Sequence, residues 1–359
     1  MRKGSSLVLI LLLCSFWVAL FTDPAVKAEP RMIVVPDDYA TIQEAITNVN
    51  FGGSVFVKSG SYGGNLVIHK SLSLIGEDKD TTIIRSGHTG TNILVNKVDN
   101  VTITGFTIKT VEVGVHLLHS NNCNISGNKV IEISHHQGIW LYSASQNIIA
   151  ENRVQGGGSG IELELSSNNT IVDNTVMENE RGLVLLNSPT NIISANILVN
   201  STCGILLRKD CRGDIFYANS ISSCTRGVLI GGIGGMMDIY VTNVTDTAFH
   251  HNNFVNNAVS VEDEGCVCGI DYWDDGKEGN YWSNYNGTDS DGDGIGDTSY
   301  LVYENYCKDG NVTDNYPLMT QANIFVIPEF LSWTILPLLI IATLVGVIIR
   351  NKIKKKGLE

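Results

Sequence analysis

Glycine recurs at Gly114, Gly138, Gly160, Gly182, Gly204 and Gly227, at spacings of 24, 22, 22, 22 and 23 residues. A near-constant period in this range means stacked units that bury their apolar sides against one another, not a globular core. Each glycine opens an alternating run such as Gly160-Ile161-Glu162-Leu163-Glu164-Leu165, the period of a strand with one face buried. Ahead of the runs stand Asn128, Asn152, Asn174, Asn196 and Asn219, with Gly105 in place of asparagine in the first coil. The units have no room for a helix beside the strand. The expected fold is therefore all-β, a right-handed parallel β-helix of about ten coils, each ~4.8 Å above the last. The asparagine column is expected to hydrogen-bond along the axis at the turns, in a structural role.

Composition agrees. Thirty-six Gly and 34 Asn against 17% charged residues favour turns over helices and exclude a helical bundle. A net charge of -13 gives no counterion-release affinity for nucleic acid, so no nucleic-acid partner is expected.

An open stack needs caps at both ends. Thr41-Ile42-Gln43-Glu44 is a capping-box signature, and Ile42, Ala45, Ile46 and Val49 form one helical stripe, a plug for the N-terminal end. Strand-like runs follow at Ser54–Lys58, Leu66–Ile75, Thr81–Ile84 and Asn92–Val95. The period breaks at Gly231, with one late coil fragment near Asn253–Val261 and Trp273, Tyr281, Trp282 and Tyr285 expected over the C-terminal end.

The expected organisation is a signal peptide over 1–28, the capping helix and first coils over 29–98, and repeats over 99–265 with an insertion near 231–250. A C-terminal cap follows over 266–325. Residues 330–349 are nearly uncharged and long enough to span ~30 Å of hydrocarbon, and the basic tail 350–359 after them stays cytoplasmic. This predicts a cell-surface ectodomain with a membrane anchor. Seven Asn-x-Ser/Thr triplets (Asn100, Asn124, Asn168, Asn200, Asn243, Asn286, Asn311) suit a glycoprotein.

Asp289, Asp291, Asp293 and Asp297 stand at positions 1, 3, 5 and 9 of a loop with Gly294 at 6, a calcium spacing that lacks the position-12 glutamate of an EF-hand. Structural calcium is expected there. If the Ile and Leu after each repeat glycine point inward, one outward column reads His116, Trp140, Glu162, Val184, Leu206, Leu229. The next reads Leu118, Tyr142, Glu164, Leu186, Arg208. Trp140, Tyr142, Glu162, Glu164 and Arg208 would then share a wall with aromatic faces for sugar rings and charges for hydroxyls or uronates, a candidate surface for a polysaccharide or surface glycan. Glu162 and Glu164 also lie at a glycosidase-like separation along one strand, although two solvated acids are the default reading. Cys203 and Cys224, almost one period apart, could form a disulfide on adjacent coils.

The segments Asp37-Asp38-Tyr39-Ala40-Thr41-Ile42-Gln43-Glu44-Ala45-Ile46, Ser54–Tyr62 and Lys70–Glu77, with the coil repeats, resemble the NosD-type β-helix proteins, part of a group linked to carbohydrate binding and sugar hydrolysis. Asn280–Tyr285 and the following aspartates resemble the closing segment of archaeal members. Pro328-Glu329-Phe330 resembles an archaeal surface-protein tail signal. Polygalacturonase and pectin methylesterase catalytic signatures are missing, so no catalytic residue is assigned and binding is favoured over a polysaccharide hydrolase or lyase. The NosD resemblance implies copper as an alternative, with Cys266-Val267-Cys268 beside His250-His251, Met236-Met237 or His135-His136 as soft ligands.

Overall fold

The computed structural model describes residues 32–86, 90–231, 244–264, 272–305 and 310–324. The expected signal peptide, membrane span and basic tail lie outside these residues, as do Cys266, Cys268, Cys307 and Met236-Met237. Among the described residues no helix is long and apolar enough to cross a membrane.

The chain is a parallel β-solenoid in which each coil gives one strand to each of three sheets, of ten, ten and nine strands. One coil shows the plan. Asn124–Ser126 lies in the first face, Lys129–Ile131 in the second and Gln137–Tyr142 in the third, before Ile148–Ala150 returns to the first. Every strand pair within the stack is parallel and one coil apart, for example Ile139 beside Ile161 and Ile161 beside Leu183. The inward Ile, Leu, Val and Phe side chains make one continuous core.

The repeat glycines are demanded by space. A Cβ on Gly160 would lie 2.3 Å from Val176 Cγ1 and 2.7 Å from the Gly182 carbonyl oxygen, and Gly138 is as tightly boxed by Val154 and the Gly160 carbonyl. The corner between second and third faces brings successive coils so close that no side chain fits.

Asparagine ladders hold the other two corners. Between the first and second faces, Asn128, Asn152, Asn174, Asn196, Asn219, Asn252 and Asn280 each donate a side-chain N–H along the column, at 3.2 Å for the first link and 2.9–3.0 Å for those up to Asn280. The same oxygen also accepts the backbone N–H of the preceding coil's asparagine, which satisfies donors that would otherwise be orphaned in a dry corner. Phe106, not Gly105, occupies this position in the first coil, because Thr107 pairs with Lys129 and the Phe106 N–H donates to Asn128 Oδ1. Gly105 fills the left-handed corner one residue earlier, at φ 81°. A second ladder, Asn147, Asn169 and Asn191, runs between the third and first faces. Both ladders end on a buried aspartate, Asp314 and Asp214 respectively.

The N-terminal helix spans Ile42–Asn48, with Thr41 as its cap and Ile42, Ala45 and Ile46 buried against the first strands. The run 66–75 is two strands, Leu66–Ile68 in the third face and Leu72–Gly76 in the first, since the chain turns a corner between them. The late fragment is a full coil: Ala248–His250, Asn253–Val255 and Val259–Asp263. From the last coils outward Phe216, Phe249 and Trp273 stack at 4.2 and 4.7 Å, and Phe254, Trp282 and Tyr300 at 4.3 and 4.4 Å, closing the C-terminal end with rings.

Candidate functional site

The third face carries the outward columns in the expected register. His116, Trp140, Glu162, Val184, Leu206 and Leu229 are successive lateral partners, as are Leu118, Tyr142, Glu164, Leu186 and Arg208. Trp140, Tyr142, Glu162, Glu164 and Arg208 thus lie on one surface, all half-buried.

Trp140 does not lie flat on this surface. Its ring stacks on His116 at 4.2 Å with an interplanar angle of 11°, and Tyr142 meets it edge-on at 5.8 Å. Parallel rings on strands one coil apart have their normals along the stack, so the preceding coil covers one face of Trp140. The expectation of an open aromatic face on that side is therefore corrected. Burial holds His116 far below the usual histidine range, at about 4, and keeps it neutral.

From Val184 onward the first column sinks. Val184, Leu206, Leu229 and Cys203 form an apolar cluster of their own on the outside of the sheet. Cationic side chains rim this floor. Arg181 lies 3.6 Å from Glu180 and donates to Ser159 at 3.4 Å, while Arg226 pairs with Glu262 and Glu264. Arg208 has no side-chain partner among the described residues. Glu162, Arg181, Val184, Leu206 and Arg208 line one pocket, and Arg181, Thr202, Leu206 and Arg226 its neighbour. Gln137 donates to Glu162 at 3.2 Å, and burial followed by the Glu162 charge raises the Glu164 carboxyl. The expected wall missed the pocket because Arg181 and Arg226 precede the repeat glycine, outside the two columns counted.

Asp289, Asp291 and Asp293 bring one carboxylate oxygen each within 4.8 Å of one another. Asp297 stands apart from that trio and accepts from Thr288 Oγ1 at 2.9 Å and from Ser290 Oγ at 2.7 Å, bonds that hold its carboxyl below the usual range.

The four cysteines among the described residues do not offer soft ligands, while Cys266 and Cys268 lie outside those residues. Cys123, Cys203, Cys211 and Cys224 are free and buried, and burial pushes Cys203 and Cys211 up to about 12 and Cys123 to about 11. The expected Cys203–Cys224 disulfide is absent. Cys203 pairs with Arg226 on the outer surface, whereas Cys224 packs in the core, since the 23-residue coil shifts the register by two positions. His135 is exposed, with Glu180 as its nearest acid at 3.9 Å. His250, His251 and Asp275 do converge, each with a ligand atom within 4.8 Å of the others. An imidazole pair with a carboxylate fits a borderline divalent transition ion, copper included.

Residues 48–287 match the family model described as periplasmic copper-binding protein (NosD). The chain belongs to the NosD family. No curated protein sequence matches it. Among solved structures, this NosD-family chain is similar to the Dettilon tailspike protein (TM-score 0.53, 13% identity, 68% of this chain and 62% of that one). It is similar too to a double mutant of the periplasmic alginate epimerase AlgG (0.52, 14%, 62% and 60%) and to pectate lyase Pel9A (0.50, 12%, 69% and 81%). The chain spans less than two thirds of the first two. Such likeness at this identity establishes the fold.

Proposed function

We propose that this protein is a membrane-anchored, extracellular binder of an extended surface or environmental glycan along its third face, without turnover. The observation that carries this reading is the apolar floor of Val184 and Leu206, rimmed by Glu162, Arg181 and Arg208 and continuous in register with Trp140 and Tyr142. Sugar rings present C–H patches and hydroxyl or carboxylate groups, which match a floor of this kind and its charged rim. Strands one coil apart repeat the surface, so weak contacts sum along a polymer. Calcium bound at Asp289, Asp291 and Asp293 stiffens the C-terminal cap in this reading, and the segment 330–349 anchors it.

The test is a glycan array probed with the full chain in detergent and calcium. Binding should strengthen with chain length. Arg208→Ala should weaken it several-fold, and Trp140→Ala should do the same with the melting temperature nearly unchanged. Glu162→Gln and Glu164→Gln should alter affinity modestly. Polysaccharide cleavage that either substitution abolishes would identify a hydrolase instead, and an array without any length-dependent ligand would end the glycan reading. Metal handling is a separate function that rests on the histidine pair, not on this face.

A further inference from the structure

The residue before each first-ladder asparagine from Asn152 to Asn252 sits in the left-handed region: Glu151, Asp173, Ala195, Ala218 and His251 have φ between 54° and 56°. In a straight strand, neighbouring side chains point to opposite faces. A left-handed corner breaks that alternation, so His250, the last outward residue of its strand, and His251, the corner residue, both reach the outer surface. Tyr217 on the preceding coil stacks on the His250 ring at 5.9 Å and 9° and fixes its plane.

The two rings meet through like atoms. His250 Nδ1 and His251 Nδ1 are 2.8 Å apart. His251 Nε2 is 2.7 Å from a Glu278 carboxylate oxygen, which can only accept, so the proton of a neutral His251 sits on Nε2, its Nδ1 accepts the His250 Nδ1–H, and a metal ion that displaces that one proton finds both Nδ1 lone pairs side by side. A carboxylate on the far nitrogen is the arrangement that orients a metal-ligating histidine. Asp275 completes the group. Its Oδ1 accepts the backbone N–H groups of Lys277 and Glu278 at 2.9 and 2.8 Å, which fixes the carboxyl and leaves Oδ2 to serve as a ligand.

We propose that His250, His251 and Asp275 form a site for a borderline divalent transition-metal ion such as Cu2+ or Zn2+, with Glu278 positioning His251 in its ligating tautomer. Two imidazoles and one carboxylate favour such ions over Ca2+, which takes oxygen ligands. His251 and Glu278 also border an open cleft with Tyr217 and Asp293, so solvent or an exchanging ligand reaches the remaining coordination positions. The site lies on the corner between first and second faces and is independent of the glycan reading.

The experiment uses the full chain without a histidine tag, stripped with chelator and titrated with Cu2+, Zn2+ or Ca2+ alone. One Cu2+ per chain should show nitrogen hyperfine coupling from two imidazoles, and Zn2+ should displace it where Ca2+ does not. His250→Ala and His251→Ala should each weaken binding at least ~100-fold, and Glu278→Gln by ~10–100-fold with the nitrogen coupling retained. His135→Ala serves as the control and should change nothing. Melting in chelator must match the wild type; if His250→Ala unfolds, His251→Gln carries the test. Copper bound without nitrogen coupling, or bound equally well by the folded histidine variants, would overturn the assignment.

Discussion

Asp214 ends the second ladder in a way that makes stability depend on pH. Its Oδ1 accepts the backbone N–H of Asn191 at 2.6 Å and the Asn191 side-chain N–H at 3.2 Å, while Oδ2 is buried without a partner among the described residues. Burial raises the carboxyl from 3.8 to about 8, with the charge of Asp210 adding to the shift. The folded protein therefore holds a proton between pH ~4 and ~8 that the unfolded chain lacks. Stability is full below the unfolded value, falls as pH rises through this window and levels off above about 8. At 1.36 kcal/mol per unit, roughly four units correspond to ~5 kcal/mol, comparable with a whole domain's net stability. Asp314, raised to about 6 by burial, adds a loss of the same sign between pH ~4 and ~6. Glu77, Glu132 and Asp297 are shifted down and act in the opposite sense only below the ordinary carboxylate range, whereas burial of His116, held at about 4, and of His250 adds stability as pH rises towards ~6.5, so the fall due to Asp214 stands unopposed only above ~6.5. Asp214→Asn keeps an oxygen for Asn191 and removes the titration. Urea unfolding followed by tryptophan fluorescence at several pH values from 6.5 to 8 should show the wild type losing midpoint steadily with pH and Asp214→Asn losing much less. A wild type more stable at pH 8 than at pH 6.5, or a variant that keeps the full slope, would refute the reasoning.

Two further outcomes test the corner and the aspartate loop. Gly160→Ala forces a Cβ into Val176 and the Gly182 carbonyl and should cost ~1–3 kcal/mol in a urea titration, whereas Gly63→Ala, with nothing within 4 Å, should be near neutral; equal effects would remove the steric account. Calcium should raise the melting temperature relative to chelator, by an amount equivalent to ~2.7 kcal/mol at a hundredfold excess over Kd, and Asp291→Asn with Asp293→Asn should erase the difference. Identical melting with calcium and with chelator in the wild type would show that the loop needs no ion.

What a periodic sequence reveals is column membership, and here it did so well. The glycine spacing placed Trp140 beside Glu162 and Tyr142 beside Glu164, as the register has them. It also exposed the first asparagine ladder, because Asn-x-Val ties each amide to a core residue. The second ladder carried the same mark, Asn147, Asn169 and Asn191 each standing two residues before a core isoleucine (Ile149, Ile171, Ile193), but it lies on a corner away from the repeat glycine that drew the reading to the first. One-residue differences in coil length decide pairing but scarcely disturb the period. The coil from Cys203 to Arg226 is 23 residues long, so Cys224, 21 residues on, falls two positions short of Cys203. Spacing was equally blind to side-chain height within a column. Whether Trp140 lies flat or stands depends on His116 twenty-four residues away, and whether Asp297 joins its neighbours depends on hydrogen bonds to Thr288 and Ser290. The histidine pair shows the same limit from the other side. Strand alternation assigns His250 and His251 to opposite faces, and only the left-handed corner, shared with Ala218 and Ala195 on earlier coils, turns both outward. A corner that must be left-handed in every coil is thus a place where two consecutive side chains can act together. In this chain the coil that carries histidines there is also the one whose next turn supplies Asp275 and Glu278.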